Sequence, residues 1–242
     1  MRRILFALMM VLVAATAFAQ TDTLLKPRLK SSISLPRSND HLMLQLGYTT
    51  WQGKTDSMNT GGIPRTFNVY FLLDFPFKSS PNWSVAAGVG VGTDNVYFDK
   101  TIVGIKDQTT RLQFRDVSDT NHFKRFKVAT TYAEVPLELR YNSGNDANRQ
   151  GFKAAIGVKI GTLLNAHTKG SILQDKSGNT LNSYKVKENS KRFFNQNRLA
   201  ATARLGYGHF SLFGTYQITS LFKEGLAPTV RPLTVGLTLS GL

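Results

Sequence analysis

Residues 131–141 read TYAEVPLELRY, with Ala133, Val135, Leu137, Leu139 and Tyr141 on alternate positions and Glu134, Pro136, Glu138 and Arg140 between them. A period of two is that of a β-strand with one apolar and one polar face. Seven other stretches alternate in the same way: 42–51, 66–77, 83–94, 152–164, 198–207, 210–219 and 233–239. In 66–77, Phe67, Val69, Phe71, Leu73 and Phe75 oppose Asn68, Tyr70 and Asp74. In 152–164, Phe152, Ile156, Val158 and Ile160 oppose Lys153, Gly157, Lys159 and Gly161, and in 198–207 Leu199, Ala201, Ala203 and Leu205 oppose Arg198, Thr202 and Arg204. No stretch of similar length carries a helical period, so the fold is expected to be all-β.

The connections alternate in length. Short pieces such as KSSPN and GHF join some neighbours, and pieces of up to roughly thirty residues, around 95–126 and 165–196, join the others. Short turns at one end and long loops at the other are the pattern of membrane-spanning barrels. Phe75, Phe77, Trp83, Tyr141, Phe152, Tyr207 and Phe210 fall at the short-turn ends of the segments. Tyr48, Trp51, Phe67, Tyr216 and Phe222 fall toward the long-loop ends. Two aromatic girdles around a Leu/Val/Ile/Ala band point to lipid on the apolar face and a polar lumen on the other. The prediction is an eight-stranded antiparallel up-and-down transmembrane β-barrel with long outer loops and short periplasmic turns.

Eight strands enclose a space that side chains can fill. The predicted lumen charge network is Asp74, Glu134, Glu138, Arg140, Lys159, Arg198 and Arg204, with Gly88, Gly90, Gly92, Gly157 and Gly161 leaving room for long side chains. Lys159, on the strand beside 131–141, is the expected mate of one of the two glutamates. Pro136 lacks a ladder donor, so a bulge or local gap is expected beside it.

The chain opens MRRILFALMMVLVAATAFAQ, a basic start, a short apolar run and Ala17-Phe18-Ala19. This reads as a cleaved signal peptide over 1–19, followed by a periplasmic segment over 20–40 and the barrel over 41–242. Cysteine is absent, which removes disulfides and thiolate metal sites. The formal charge of +15 calls for anionic partners, and export argues against nucleic acid.

FNVYFLLDFPF, VAAGVGVG, YAEVPLELRY and GFKAAIGVKIG together resemble the outer-membrane β-barrel domain family of Gram-negative bacteria that includes PorT-type small barrels. The resemblance covers roughly residues 40–242 and implies an outer-membrane location, in some members with a part in protein secretion, and no catalytic motif. This chain ends in Leu242, where many such barrels end in an aromatic residue.

Candidate chemistry is sparse. His209-Phe210-Ser211 has the spacing of a His-x-Ser pair found in lipid-modifying barrels, but both polar residues take the lumen face at the short-turn end. His41, His122, His167 and His209 form no metal-ligand spacing, and the glycines of GVGVG precede no helix that would make a phosphate cradle. No enzyme, metal or cofactor is expected. The long connections are basic: Lys124, Arg125 and Lys127 end one, and Lys169, Lys176, Lys185, Lys187, Lys191 and Arg192 punctuate another. At the outer leaflet Lys124, Arg125, Lys127, Lys191 and Arg192 are candidate contacts for lipopolysaccharide phosphates. The expected protein is a structural or interaction barrel in contact with outer-membrane lipid, with the long loops free to meet a protein partner. A narrow channel and a lipid A-modifying enzyme are the alternatives.

Overall fold

In the computed structural model, which describes residues 41–144 and 151–241, the alternating segments are strands and no helix occurs among the described residues. The signal peptide expected over 1–19 and the segment over 20–40 lie outside the described residues. In chain order the strands are β1 (Leu42–Gln52), β2 (Arg65–Phe77), β3 (Ser80–Phe98), β4 (Thr101–Val103), β5 (Phe114–Asp116), β6 (His122–Asn142), β7 (Phe152–Gln174), β8 (Thr180–Asn189), β9 (Asn197–Tyr207), β10 (Phe210–Gln217) and β11 (Arg231–Ser240).

Eight of them close a barrel in the cyclic order β1-β2-β3-β6-β7-β9-β10-β11, every pair antiparallel. The β1–β11 ladder runs from Met43↔Ser240 to Gln52↔Arg231, so the first and last strands leave no open edge in the barrel wall. Closure pairs each wall strand on both sides, the condition for strands in lipid. β4 and β5 form a separate small hairpin.

The exterior is apolar where the alternation placed it. Leu46, Phe71, Val89, Val135, Leu137, Ile156, Leu212 and Leu237 are exposed although nonpolar. Large exposed apolar surfaces of this kind mark a face that meets lipid or a partner and not water. Phe75, Phe77, Trp83, Phe152, Tyr207 and Phe210 ring its short-turn end, and Tyr48, Phe67 and Tyr216 mark the other. Trp51 and Phe222, expected in that second girdle, are instead buried inside the barrel mouth. Trp51 stands three residues from Tyr48, an odd step that turns it to the inner face. Leu137 is 39% exposed at mid-strand, so Leu137→Arg should cost about 2–4 kcal/mol of barrel stability. Folded yield in urea-titrated lipid vesicles checks this, and an unchanged midpoint would reverse the facing.

Pairing of β6 with β3 omits Val135 and Pro136 yet keeps the same register on either side, a gap where the proline removes its donor. The register shift lies elsewhere, at Leu164, where Thr131 pairs with Asn165 and Tyr132 with Leu163.

The long connections expected around 95–126 and 165–196 are shorter than read, because strands run on beyond the apolar band. β7 continues to Gln174 and turns back as β8. Asp175 ties that turn by accepting from the Asn179 backbone and side chain, with Gly178 at a φ of 89°. Both faces of this hairpin are largely polar, so no apolar period announced it.

Candidate functional site

The inner wall carries two charge clusters, one above the other. In the cluster nearer the short turns, Glu138 Oε2 accepts from Arg204 Nη2 at 2.7 Å and from Arg140 Nε at 3.0 Å. Arg140 Nη1 also lies 3.9 Å from Asp74 Oδ1, which accepts from Ser84 Oγ at 2.8 Å. Nearer the long loops, Arg198 Nη1 donates to Asp94 Oδ2 at 3.0 Å and stands 3.0 Å from Glu134 Oε1, an ion pair without hydrogen-bond alignment. Its guanidinium also lies 5.0 Å over the Tyr132 ring.

Register explains the pairing. Glu134 on β6, Gly161 on β7 and Arg198 on β9 lie in one lateral row. The missing side chain of Gly161 lets Arg198 reach across to Glu134. A Cβ there would stand 3.0 Å from Glu134 Cγ and 3.6 Å from Arg198 Cβ. In the same way small Ala155 separates Arg140 from Arg204.

Lys159 sits opposite Pro136, midway between the glutamate levels, and is not the direct mate of either glutamate. The arginines of β9 and β6 already occupy those carboxylates. Its ammonium donates to Gln45 Oε1 at 2.9 Å and to the Tyr70 hydroxyl at 3.2 Å, and it lies 4.8 Å over the Tyr70 ring. The Tyr70 hydroxyl in turn donates to Glu134, so lysine and glutamate are joined through the phenol. Gln45 and Asn68 extend this layer, and beside it Thr66 donates to Asp94 at 2.6 Å. Asp94, Tyr70 and Gln45 were not among the predicted site residues. Each lay on the polar face of its segment, which was the signal available.

Above the charges the barrel mouth is apolar. Trp51, Phe98, Phe126, Tyr132, Phe193, Phe194 and Phe222 belong to one buried cluster. The connection 53–64 adds Met58 to it, 99–121 adds Val103, Ile105 and Leu112, 190–196 adds Phe193 and Phe194, and 218–230 adds Leu221, Phe222 and Val230. Trp51 meets Phe98 and Phe222 edge-on at 5.5 and 5.7 Å. Four loops thus fold inward over the lumen as a single apolar cap. Their apolar residues follow no regular period, so alternation along the chain does not mark them.

Of the candidate lipopolysaccharide contacts, Lys124 and Arg125 line an outer cleft of about 610 Å³, and Lys127 lies on the outer wall, 5.9 Å over the Tyr97 ring. Lys191 and Arg192 hold the cap loops. Lys191 Nζ donates to the Leu163 carbonyl at 3.1 Å, and Arg192 Nη1 to that of Asp107 at 3.3 Å. His209 Nδ1 is 3.0 Å from the Ser240 carbonyl oxygen, while Ser211 is buried in the lumen.

Residues 33–224 match the family described as outer membrane protein beta-barrel domain. The chain belongs to that family. This member is therefore an outer-membrane β-barrel, and its apolar band faces the bilayer. Similar solved structures include Ail, the attachment invasion locus protein of Yersinia pestis, in complex with the heparin analogue sucrose octasulfate. It is 14% identical, with 82% of this chain and 96% of Ail covered at a TM-score of 0.31. An active-site mutant of outer membrane phospholipase A from Escherichia coli is 12% identical, with 87% and 93% covered at a TM-score of 0.24. No curated protein matches the sequence.

Proposed function

We propose that this barrel is a sealed structural and interaction protein of the outer membrane, neither channel nor enzyme, which meets lipopolysaccharide on its outer wall and a protein partner through its loops. The observation that carries this reading is the apolar cap to which all four long connections contribute, stacked on an ion-paired lumen. An ion passing through would have to part Trp51, Phe194 and Phe222 and then the arginine–carboxylate pairs below. The engagement of His209 with the Ser240 carbonyl, away from Ser211, supports a reading without lipid-modifying chemistry. The resemblance to PorT-type barrels adds an accessory part in protein export, for which co-purification with export components in mild detergent is the test.

Purified protein in planar bilayers is expected to give no discrete conductance steps at moderate voltage. Reproducible single-channel steps would favour the narrow-channel reading.

A further inference from the structure

The register shift at Leu164 re-aims the strand above it. Below the shift, even-numbered Ile156, Val158 and Ile160 of β7 face outward. Leu163 and Ala166 both face the cap, so the outward parity changes and the odd-numbered His167 and Lys169 take the outer wall. A bulge commonly redirects side chains in this way.

The registers then set three lysines in one line. Lys127 of β6 is directly opposite Lys169 of β7, and Lys169 is directly opposite Lys187 of β8. Like charges directly opposite one another on adjacent strands are destabilising. Here none of the three has a carboxylate partner among the described residues. Glu188 is next to Lys187 in sequence, but it pairs with Thr168 and so takes the opposite face. Lys127 donates to Asn95 Oδ1 at 2.6 Å and lies over the Tyr97 ring, with Lys169 as its cross-strand neighbour. Burial, then Lys169 and Lys187, hold its ammonium below the usual lysine range. His167, one rung closer to the membrane, is likewise depressed by burial and then by Lys187, Lys127 and Lys169. An anion placed here would relieve every one of these repulsions.

Position narrows the kind of anion. Leu164 is the last exposed apolar residue of β7, and Lys169 follows it by five residues, roughly 12 Å of height for a tilted strand. Lysine side chains can reach down from there into the headgroup layer. Tyr97, under the Lys127 ammonium, also lines the 610 Å³ cleft with Arg65, Asp99, Lys124 and Arg125, a volume suited to a sugar headgroup.

We propose that Lys127, Lys169 and Lys187 form a built seat for the phosphates of lipid A in the outer leaflet, with the adjoining cleft receiving the sugar. This rests on the reading that the barrel contacts lipopolysaccharide, and it assigns that contact to a specific row.

The test uses the full-length protein in phosphatidylcholine nanodiscs doped with bis-phosphorylated lipid A or with the same lipid after phosphate removal, and bound lipid is read by native mass spectrometry. Wild type should retain the phosphorylated form preferentially. Lys127→Gln/Lys169→Gln/Lys187→Gln should lose that preference by on the order of 100-fold, as expected for three lysines near an anionic surface. Lys176→Gln, a cation removed from the exposed turn between β7 and β8, should bind as wild type does. Loss of repulsion should leave the triple variant at least as resistant to heat on gels as wild type, so a binding loss would not report misfolding. If wild type discriminates and the triple variant does so equally, the row is overturned while lipopolysaccharide contact stands. If wild type ignores the phosphates, the contact itself fails. Equal competition by inorganic phosphate at comparable concentration would mark a soluble-anion site and overturn the lipid assignment.

Discussion

Glu138→Ala is expected to destabilise the barrel by about 3–5 kcal/mol. Glu138 is 2% exposed, and one of its oxygens accepts from both Arg204 and Arg140. Truncation leaves two guanidiniums in a narrow interior with one carboxylate, Asp74, at 3.9 Å from Arg140 and none bonded to Arg204. The loss comes from that stranded charge and not from the methylenes removed. Glu138→Ala/Arg204→Met should therefore regain a substantial part of the stability, because it deletes the unpaired cation and fills its space with a flexible apolar side chain. Urea titration of the protein in lipid vesicles, read by heat-modifiable mobility on gels, measures both variants. A single variant that unfolds at the wild-type midpoint would mean that water solvates the arginines, since an exposed pair contributes about 0–1 kcal/mol. The channel reading would then regain ground.

The second large effect concerns the cap. Phe222 is buried against Trp51, Phe114 and Phe194, with ring centroids 5.7, 6.1 and 5.2 Å away. Its neighbours knit two loops together: Asn195 N–H donates to Leu221 O at 2.9 Å, and Lys223 N–H to Phe193 O at 2.9 Å. Removing the ring opens a cavity where these loops converge, at a cost of about 3–5 kcal/mol. The barrel strands below keep their own closed ladder, so the cost should fall on the cap alone. Hydrogen exchange of amides in 190–196 and 221–230 should accelerate on the order of 10²–10³-fold in Phe222→Ala, while strand amides in the apolar band stay protected. Equal acceleration throughout would show that cap and barrel unfold as one unit, and no acceleration would remove Phe222 as the centre of the cap.

The two variants differ in how far their sites could be read beforehand. Glu138 was legible as a lumen residue because period two assigns faces without knowledge of neighbours. The same rule assigned Leu137 to lipid and Trp83 and Phe210 to the short-turn girdle. Its reach ended at the partner. That Glu138 meets Arg204, and that Lys159 meets Tyr70 and Gln45, depends on which residues share a lateral row across β7, and the ladders decide that. Phe222 was read as a girdle residue because its place in the chain, just after a strand, is equally consistent with either face. Loop residues follow no regular period.

The alternation of eight segments by itself determined the barrel, its apolar exterior, its polar lumen and the end bearing the long connections. Those features follow from local geometry, since each side chain's face is set by its distance in sequence from the next. Tertiary structure alone decided the arginine–carboxylate pairs, the inward fold of four loops into one cap, and the row of Lys127, Lys169 and Lys187. Each of these requires strands distant in sequence to be set side by side in a particular register. At Leu164 a single extra residue reverses the outward parity of everything that follows on β7, and no pattern of polar and apolar residues marks where that reversal falls.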